Sequence, residues 1–204
     1  MLSVGLTGGI ATGKSLVAGL FVKRGAFLID ADSVAREVVM PGSPGLALLV
    51  DQFGPCILDT TGALDREKLG SVVFADPEKR NILEAILHPL ILGTIFSAID
   101  GLRKKGHAGI VISDIPLLFE CGIQKQYDAT VLVYADPATQ QQRLVARNGL
   151  GSAAALQRLS AQMPIAEKRQ HADFIIENTG SLRELEIRVS AVWSDLCELL
   201  QKQG

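Results

Sequence analysis

The sequence predicts an α/β fold in three layers: a central parallel sheet between helices, with a helical subdomain beside the sheet. Three observations predict it. Short apolar runs of strand character alternate with helical patterns along most of the 204 residues, and that alternation gives a parallel sheet covered on both faces. A glycine-rich stretch stands between the first strand and the first helix. A helical block from about Ser33 to Leu102 separates the second strand from the third. It is longer than one crossover needs, so it forms a subdomain of its own.

The elements follow in order. Leu2 to Leu6 reads as a short buried strand, and Lys14 to Lys23 as a helix stopped at Gly25. Ala26 to Ile29 is a second strand, ending at Asp30. Helical stretches at Ser33–Val39, Leu46–Phe53 and Arg66–Phe74 are separated by Pro41, Gly42, Pro44, Gly54, Pro55 and Gly62. Glu78 to Leu102 is a long helical pattern, with a kink or break expected at Pro89. Further strands are expected at Ala108–Ser113, Ala129–Tyr134 and Phe174–Ile176, and helices at Pro137–Arg147, Ala153–Gln162 and Ser181–Gln201. Together these give a single domain. Its core comprises 1–32, 107–140 and 172–204, its helical subdomain 33–106 and its lid 141–171.

Composition narrows the function. A chain 48% hydrophobic builds a full core. A formal net charge of -2 argues against nucleic-acid binding through a broad basic surface. Cys56, Cys121 and Cys197 lie far apart with no C-x-x-C pair, so neither a zinc site nor a disulfide framework is expected, and reduced cytoplasmic thiols are. No secretion signal opens the sequence, and no run approaches the ~20 apolar residues of a membrane span.

The chemistry begins at Gly8-Gly9-Ile10-Ala11-Thr12-Gly13-Lys14-Ser15, which matches G-x-x-x-x-G-K-[ST] between a strand and a helix. Such a loop offers backbone N–H groups to phosphates at a helix N-terminus, here over Gly9, Ala11, Thr12, Gly13, Lys14, Ser15 and Leu16. The Lys14 ammonium reaches the outer phosphate oxygens of ATP, and the Ser15 hydroxyl is suited to Mg²⁺. Two features exclude neighbouring classes. Asp59-Thr60-Thr61-Gly62 fits the D-x-x-G element of GTPases, but no N-K-x-D follows anywhere, and a simple turn explains it. Asp114 is followed by Ile115 and Pro116, not by the Glu that activates water in motor ATPases, which favours transfer to an acceptor over hydrolysis.

Asp30 and Asp32 lie where the second strand meets a helix. There a carboxylate either accepts the proton of an acceptor hydroxyl and orients it, holds Mg²⁺, or caps the helix. Asp114, ending the third strand, is a further candidate for the metal shell. Arg143 and Arg147, four residues apart, share a helix face. With Arg158, Lys168 and Arg169 they supply either a cationic lid over the γ-phosphate or a solvated surface. His107 and His171 read as structural or surface residues. His88, before Pro89, has the same default, with the substrate cleft as its alternative.

Several segments together carry a resemblance. They are Gly5-Leu6-Thr7-Gly8-Gly9-Ile10 with the loop, Asp30-Ala31-Asp32 with Ala35-Arg36, Leu64-Asp65-Arg66 through Val73-Phe74, and His88-Pro89. Asp114-Ile115-Pro116-Leu117-Leu118-Phe119-Glu120 follows, then Arg143 to Arg147, Arg158-Leu159-Ser160-Ala161-Gln162-Met163-Pro164, Lys168, Ala172-Asp173 and Asn178. In these the chain resembles the dephospho-CoA kinase family nearly end to end. The resemblance implies a P-loop kinase fold with a helical CoA-binding subdomain. It implies transfer of the γ-phosphate of ATP, with Mg²⁺, to the 3′-hydroxyl of dephospho-CoA. It assigns Asp32 to that hydroxyl, Arg143 and Arg147 to the lid, Asn178 to an adenine-binding loop, and Thr7, His88, Leu117 and Leu118 to the acceptor. It implies no nucleic-acid, membrane or obligate protein partner. One departure stands in the loop: the family often has Gly-Ser-Gly-Lys where this chain has Ala11-Thr12-Gly13-Lys14. Ala11 has less backbone freedom than glycine but keeps its N–H.

Overall fold

Leu2 through Gly8 are buried at every position and form β1 (Leu2–Gly8). A strand covered on both faces has no polar side to show, so it belongs at the centre of a parallel sheet. That is where it lies in the computed structural model, which describes residues 1–74, 76–149 and 151–202. The five-stranded order is β2-β3-β1-β4-β5, with β2 (Phe27–Asp30), β3 (Ile110–Asp114), β4 (Ala129–Tyr134) and β5 (Phe174–Glu177). Every pairing is parallel. Carboxylates just ahead of two strands tie them to their neighbours. Asp128 accepts from the Ser3 N–H and hydroxyl at 2.7 and 2.6 Å, and Asp173 from those of Thr130 at 2.8 and 2.7 Å.

The helices are α1 (Lys14–Val22), α2 (Ala31–Glu37), α3 (Pro44–Phe53), α4 (Arg66–Phe74), α5 (Pro77–Lys104), α6 (Pro137–Asn148), α7 (Ser152–Ser160), α8 (Ile165–His171) and α9 (Leu182–Lys202). The chain divides into two units. One comprises Met1–Asp30 and Leu102–Gly204, the other Ala31–Gly101. In the sheet unit, Val17 and Phe21 of α1 and Leu185, Val189 and Leu196 of α9 pack with Val4, Leu6, Ile112 and Val131. A Ser181–Glu184 capping box starts α9, with the Glu184 carboxylate accepting from the Ser181 N–H at 2.7 Å. In the helical unit, Val39, Leu49, Ile57 and Leu69 form a smaller core of their own.

Two expectations are corrected. α5 runs without a break through Pro89 over 28 residues. The proline removes one i→i−4 bond, and strong helical sequence on both sides carries the helix past it. α5 is also long and apolar enough to cross a membrane, with a window of mean hydropathy 1.9. Between Ile82 and Ile99 only Glu84 is acidic or basic apart from His88, and His88, Pro89 and Thr94 disguised the run. Core helices of water-soluble proteins pass the same test of length and composition. α8 is an element the sequence pattern did not announce. Positions 75, 150, 203 and 204, which fall within the expected subdomain, lid and C-terminal core segments, lie outside the described residues.

Candidate active site

β1 delivers the chain to the carboxyl edge of the sheet, where the glycine-rich loop begins. The loop closes on itself: the Thr12 N–H and hydroxyl both donate to the Gly9 carbonyl, at 3.2 and 2.9 Å. Gly13 then caps α1 in the left-handed region, φ 88°. A Cβ there would lie 2.2 Å from the Asn178 side-chain nitrogen, so position 13 needs glycine for its conformation and for its space. α1 follows at once, aiming its first N–H groups into the loop, the arrangement that binds anions.

Lys14 is the first residue of α1, and its ammonium pairs with the Asp114 carboxylate. Asp114 is buried at the end of β3, in register with Leu6 of β1 and with Asp30 of β2. Adjacent strands lie about 4.8 Å apart, so Asp30 and Asp114 stand side by side on the edge that carries Lys14. Ser15 and Leu16 beside it are exposed. One cation and two carboxylates thus converge at the mouth of the loop.

Other expected residues are placed differently. The Thr7 side chain is fully buried, with its hydroxyl on the Pro116 carbonyl at 3.1 Å. Leu118 is fully buried against Gly5, where an added Cβ would meet its Cδ1 at 2.3 Å. Neither side chain has exposed surface, whereas Leu117 is half-buried. Thr12 is likewise buried, its N–H already committed to Gly9. The Asn178 amide, buried, donates to the Thr12 carbonyl at 2.8 Å, so its side chain braces the loop.

The cations divide in two. Arg143 is half-buried and Arg147 exposed, one turn apart on α6, and Asp136 starts that helix by accepting from the Thr139 N–H at 2.9 Å. The Thr139 hydroxyl and N–H hold the Asp136 carboxyl below the usual range. Arg158 is exposed on α7. Lys168 is no lid cation. It has no exposed surface, and its ammonium binds the Pro116 carbonyl at 3.0 Å and Glu120 at 2.8 Å. Arg169 reaches Glu177 at 3.1 Å and lies 4.8 Å over the Tyr134 ring. The His107 and His171 rings pack on Phe27 and Phe119.

The helical unit carries the remaining candidates. Asp32 is exposed in the first turn of α2, and His88 is half-buried on α5. In the same unit Asp59 accepts from the Thr61 N–H and hydroxyl and the Ala63 N–H at 2.8, 2.7 and 3.0 Å, a tight turn and not a nucleotide switch.

Sequence reasoning missed Gln140, and it met Gln162 only inside the Arg158–Pro164 run, without a role. Gln140 donates to the Ile10 carbonyl at 2.7 Å, and Gln162 accepts from the Ile10 N–H at 3.0 Å. Their partner lies more than a hundred positions away, so no local pattern shows what they bind.

Comparison with known proteins gives the family. The profile of a family described as dephospho-CoA kinase matches residues 2–184. The dephospho-CoA kinase of Streptomyces avermitilis is 47% identical, with 100% of this chain and 98% of the relative covered. That of Enterococcus faecalis is 45% identical over 91% and 92%. Among solved structures, a protein of Thermus thermophilus superposes with a TM-score of 0.78 at 37% identity, covering 96% of this chain and 97% of that one. A dephospho-CoA kinase from Campylobacter jejuni gives 0.72 at 30% identity, covering 95% and 96%.

Proposed function

The chain belongs to the dephospho-CoA kinase family, and from that premise we propose how its residues carry the reaction. It is an ATP-dependent phosphotransferase with an alcohol acceptor. The γ-phosphate of ATP passes to the 3′-hydroxyl of dephospho-CoA, giving CoA and ADP in the final step of coenzyme A biosynthesis. The observation that supports the site reading most is Lys14 at the head of α1, facing Asp114 and Asp30 along the carboxyl edge of the sheet.

ATP lies with its phosphates on the loop from Gly9 to Leu16, where the helix N-terminus and Lys14 meet their charge. The 3′-oxygen attacks the γ-phosphorus in line, its proton passes to the Asp32 carboxylate, and the bond to the ADP oxygen breaks. Lys14, Arg143 and Arg147 stabilise the charge on the transferring group, with segment 141–171 as the lid. The helical unit, with His88, and the half-buried Leu117 receive the acceptor. Asn178 serves the nucleotide through the loop it braces.

The donor set suits Mg²⁺, which takes few protein oxygens and keeps its waters and the phosphates of its nucleotide. Ser15, Asp30 and Asp114 would hold it, and among the described residues no three His, Cys, Asp or Glu gather into a protein-only metal site. Bound there, it would neutralise charge on the β- and γ-phosphates. The reaction belongs in the cytoplasm, where ATP is supplied, and asks for no nucleic acid, membrane or protein partner.

A coupled assay tests the whole reading. ADP and CoA should appear together from Mg·ATP and dephospho-CoA, with far slower turnover of adenosine or AMP. Absence of CoA, or equal use of all three acceptors, would refute it.

A further inference from the structure

Ala11 is the only non-glycine residue with a positive φ, 61°, among those described. It sits third in the turn Gly9–Thr12, which the Thr12 N–H closes on the Gly9 carbonyl. A negative φ at Ile10 followed by a positive one at Ala11 is the sign pattern of a type II turn, whose third position favours glycine. A residue with a Cβ adopts that conformation roughly tenfold less readily. Type I and type II turns differ by the orientation of their central peptide, here Ile10–Ala11. Left alone, alanine would turn that peptide over.

Three amide side chains grip this stretch from outside. Gln140 donates to the Ile10 carbonyl at 2.7 Å, which fixes the orientation of the central peptide itself. Gln162 accepts from the Ile10 N–H at 3.0 Å and fixes the peptide before it. Asn178 donates to the Thr12 carbonyl at 2.8 Å and fixes the peptide after Ala11 and Thr12. Gln140 and Asn178 are buried, so their bonds do not compete with water. The three come from α6, from just beyond α7 and from just beyond β5, so three separate elements converge on one turn.

We propose that Gln140, Gln162 and Asn178 are positioning residues for ATP: together they impose on the loop the nucleotide-binding form that alanine at position 11 does not hold unaided. Each makes its contact with the loop backbone. The proposal rests on the reading of the loop as the ATP site. It also accounts for alanine at a position whose conformation favours glycine, since the clamp supplies from outside what glycine supplies from within.

The test is a cross of clamp and loop substitutions. AMPPNP with magnesium is titrated by calorimetry into the wild-type protein, Gln140→Met and Gln162→Met, and into each with Ala11→Gly added. In the alanine background each methionine variant should bind about tenfold more weakly, and in the glycine background the loss should shrink to about threefold or less. KM for ATP should follow the affinity while kcat at saturating ATP changes less. Equal losses in both backgrounds, or none in the alanine background, would overturn the proposal. If Gln140→Met does not fold, the half-buried Gln162 still carries the test. Failure of the wild-type protein to bind AMPPNP would overturn the ATP reading itself, a result separate from any difference between variants.

Discussion

The two units treat their polar residues in opposite ways. In the sheet unit, polar side chains near the loop are buried and engaged: Thr7, Thr12, Asp114, Gln140, Lys168 and Asn178. In the helical unit Asp32, Asp59 and most charges of α4 and α5 lie at the surface. The difference suits the two tasks proposed for them. Stabilising charge on a transferring phosphoryl group requires donors that are already in place. Receiving a large, partly apolar acceptor requires accessible surface. Substitutions in the sheet unit should therefore disturb fold and chemistry together, and those in the helical unit separate them.

The hardest test is Lys14→Ala. It should lower kcat about 10³- to 10⁴-fold and leave Asp114 without its cation. Unchanged turnover in a steady-state assay would remove Lys14 from the mechanism. Asp32→Asn should lower kcat about 10²- to 10³-fold, with AMPPNP affinity and melting temperature held. Collapse of the affinity would make Asp32 a metal or structural residue, collapse of the melting temperature a structural one, and either would break the contrast. Lys168→Met should destabilise the protein by about 1 kcal/mol in denaturant titration: the buried ammonium's bonds to Glu120 and the Pro116 carbonyl are lost, while Glu120 keeps the Met163 N–H and the carbonyl keeps the Thr7 hydroxyl. Arg147→Ala challenges the rule from inside the sheet unit, since the residue is exposed. It should slow transfer about tenfold with little change in stability, and an equal loss of melting temperature would return it to the solvated surface.

Asp59→Ala should have the smallest effect: wild-type turnover and a slightly lower melting temperature. The Thr61 hydroxyl holds the Asp59 carboxyl below the usual range. The turn's contribution is therefore present above the ordinary aspartate pKa and lost as pH falls through the lowered one. The variant should lose that acid dependence in melts at stepped pH.

The loop was legible because its signal is contiguous, and five strands were legible because each is an apolar run bounded by turn residues. What escaped depends on distant partners. α8 holds four charged or titratable side chains in seven residues and buries only Ile165 and Lys168, so its sequence shows no apolar face. Lys168 read as a surface cation because Pro116 and Glu120 lie some fifty positions away. The burial of Thr7 and Leu118, both expected at the acceptor, depends on packing that no local pattern displays. The Asn178 position was found, but the direction of its amide was not.

Lys168 offers one more use. An amine with no exposed surface reacts with an acylating reagent only when the structure around it opens. Set against a surface lysine such as Lys23 or Lys104, its labelling rate is a clock for how often α8 lifts from the Pro116–Glu120 segment. Read by mass spectrometry with and without nucleotide, that clock would time the enzyme's opening without a single introduced mutation.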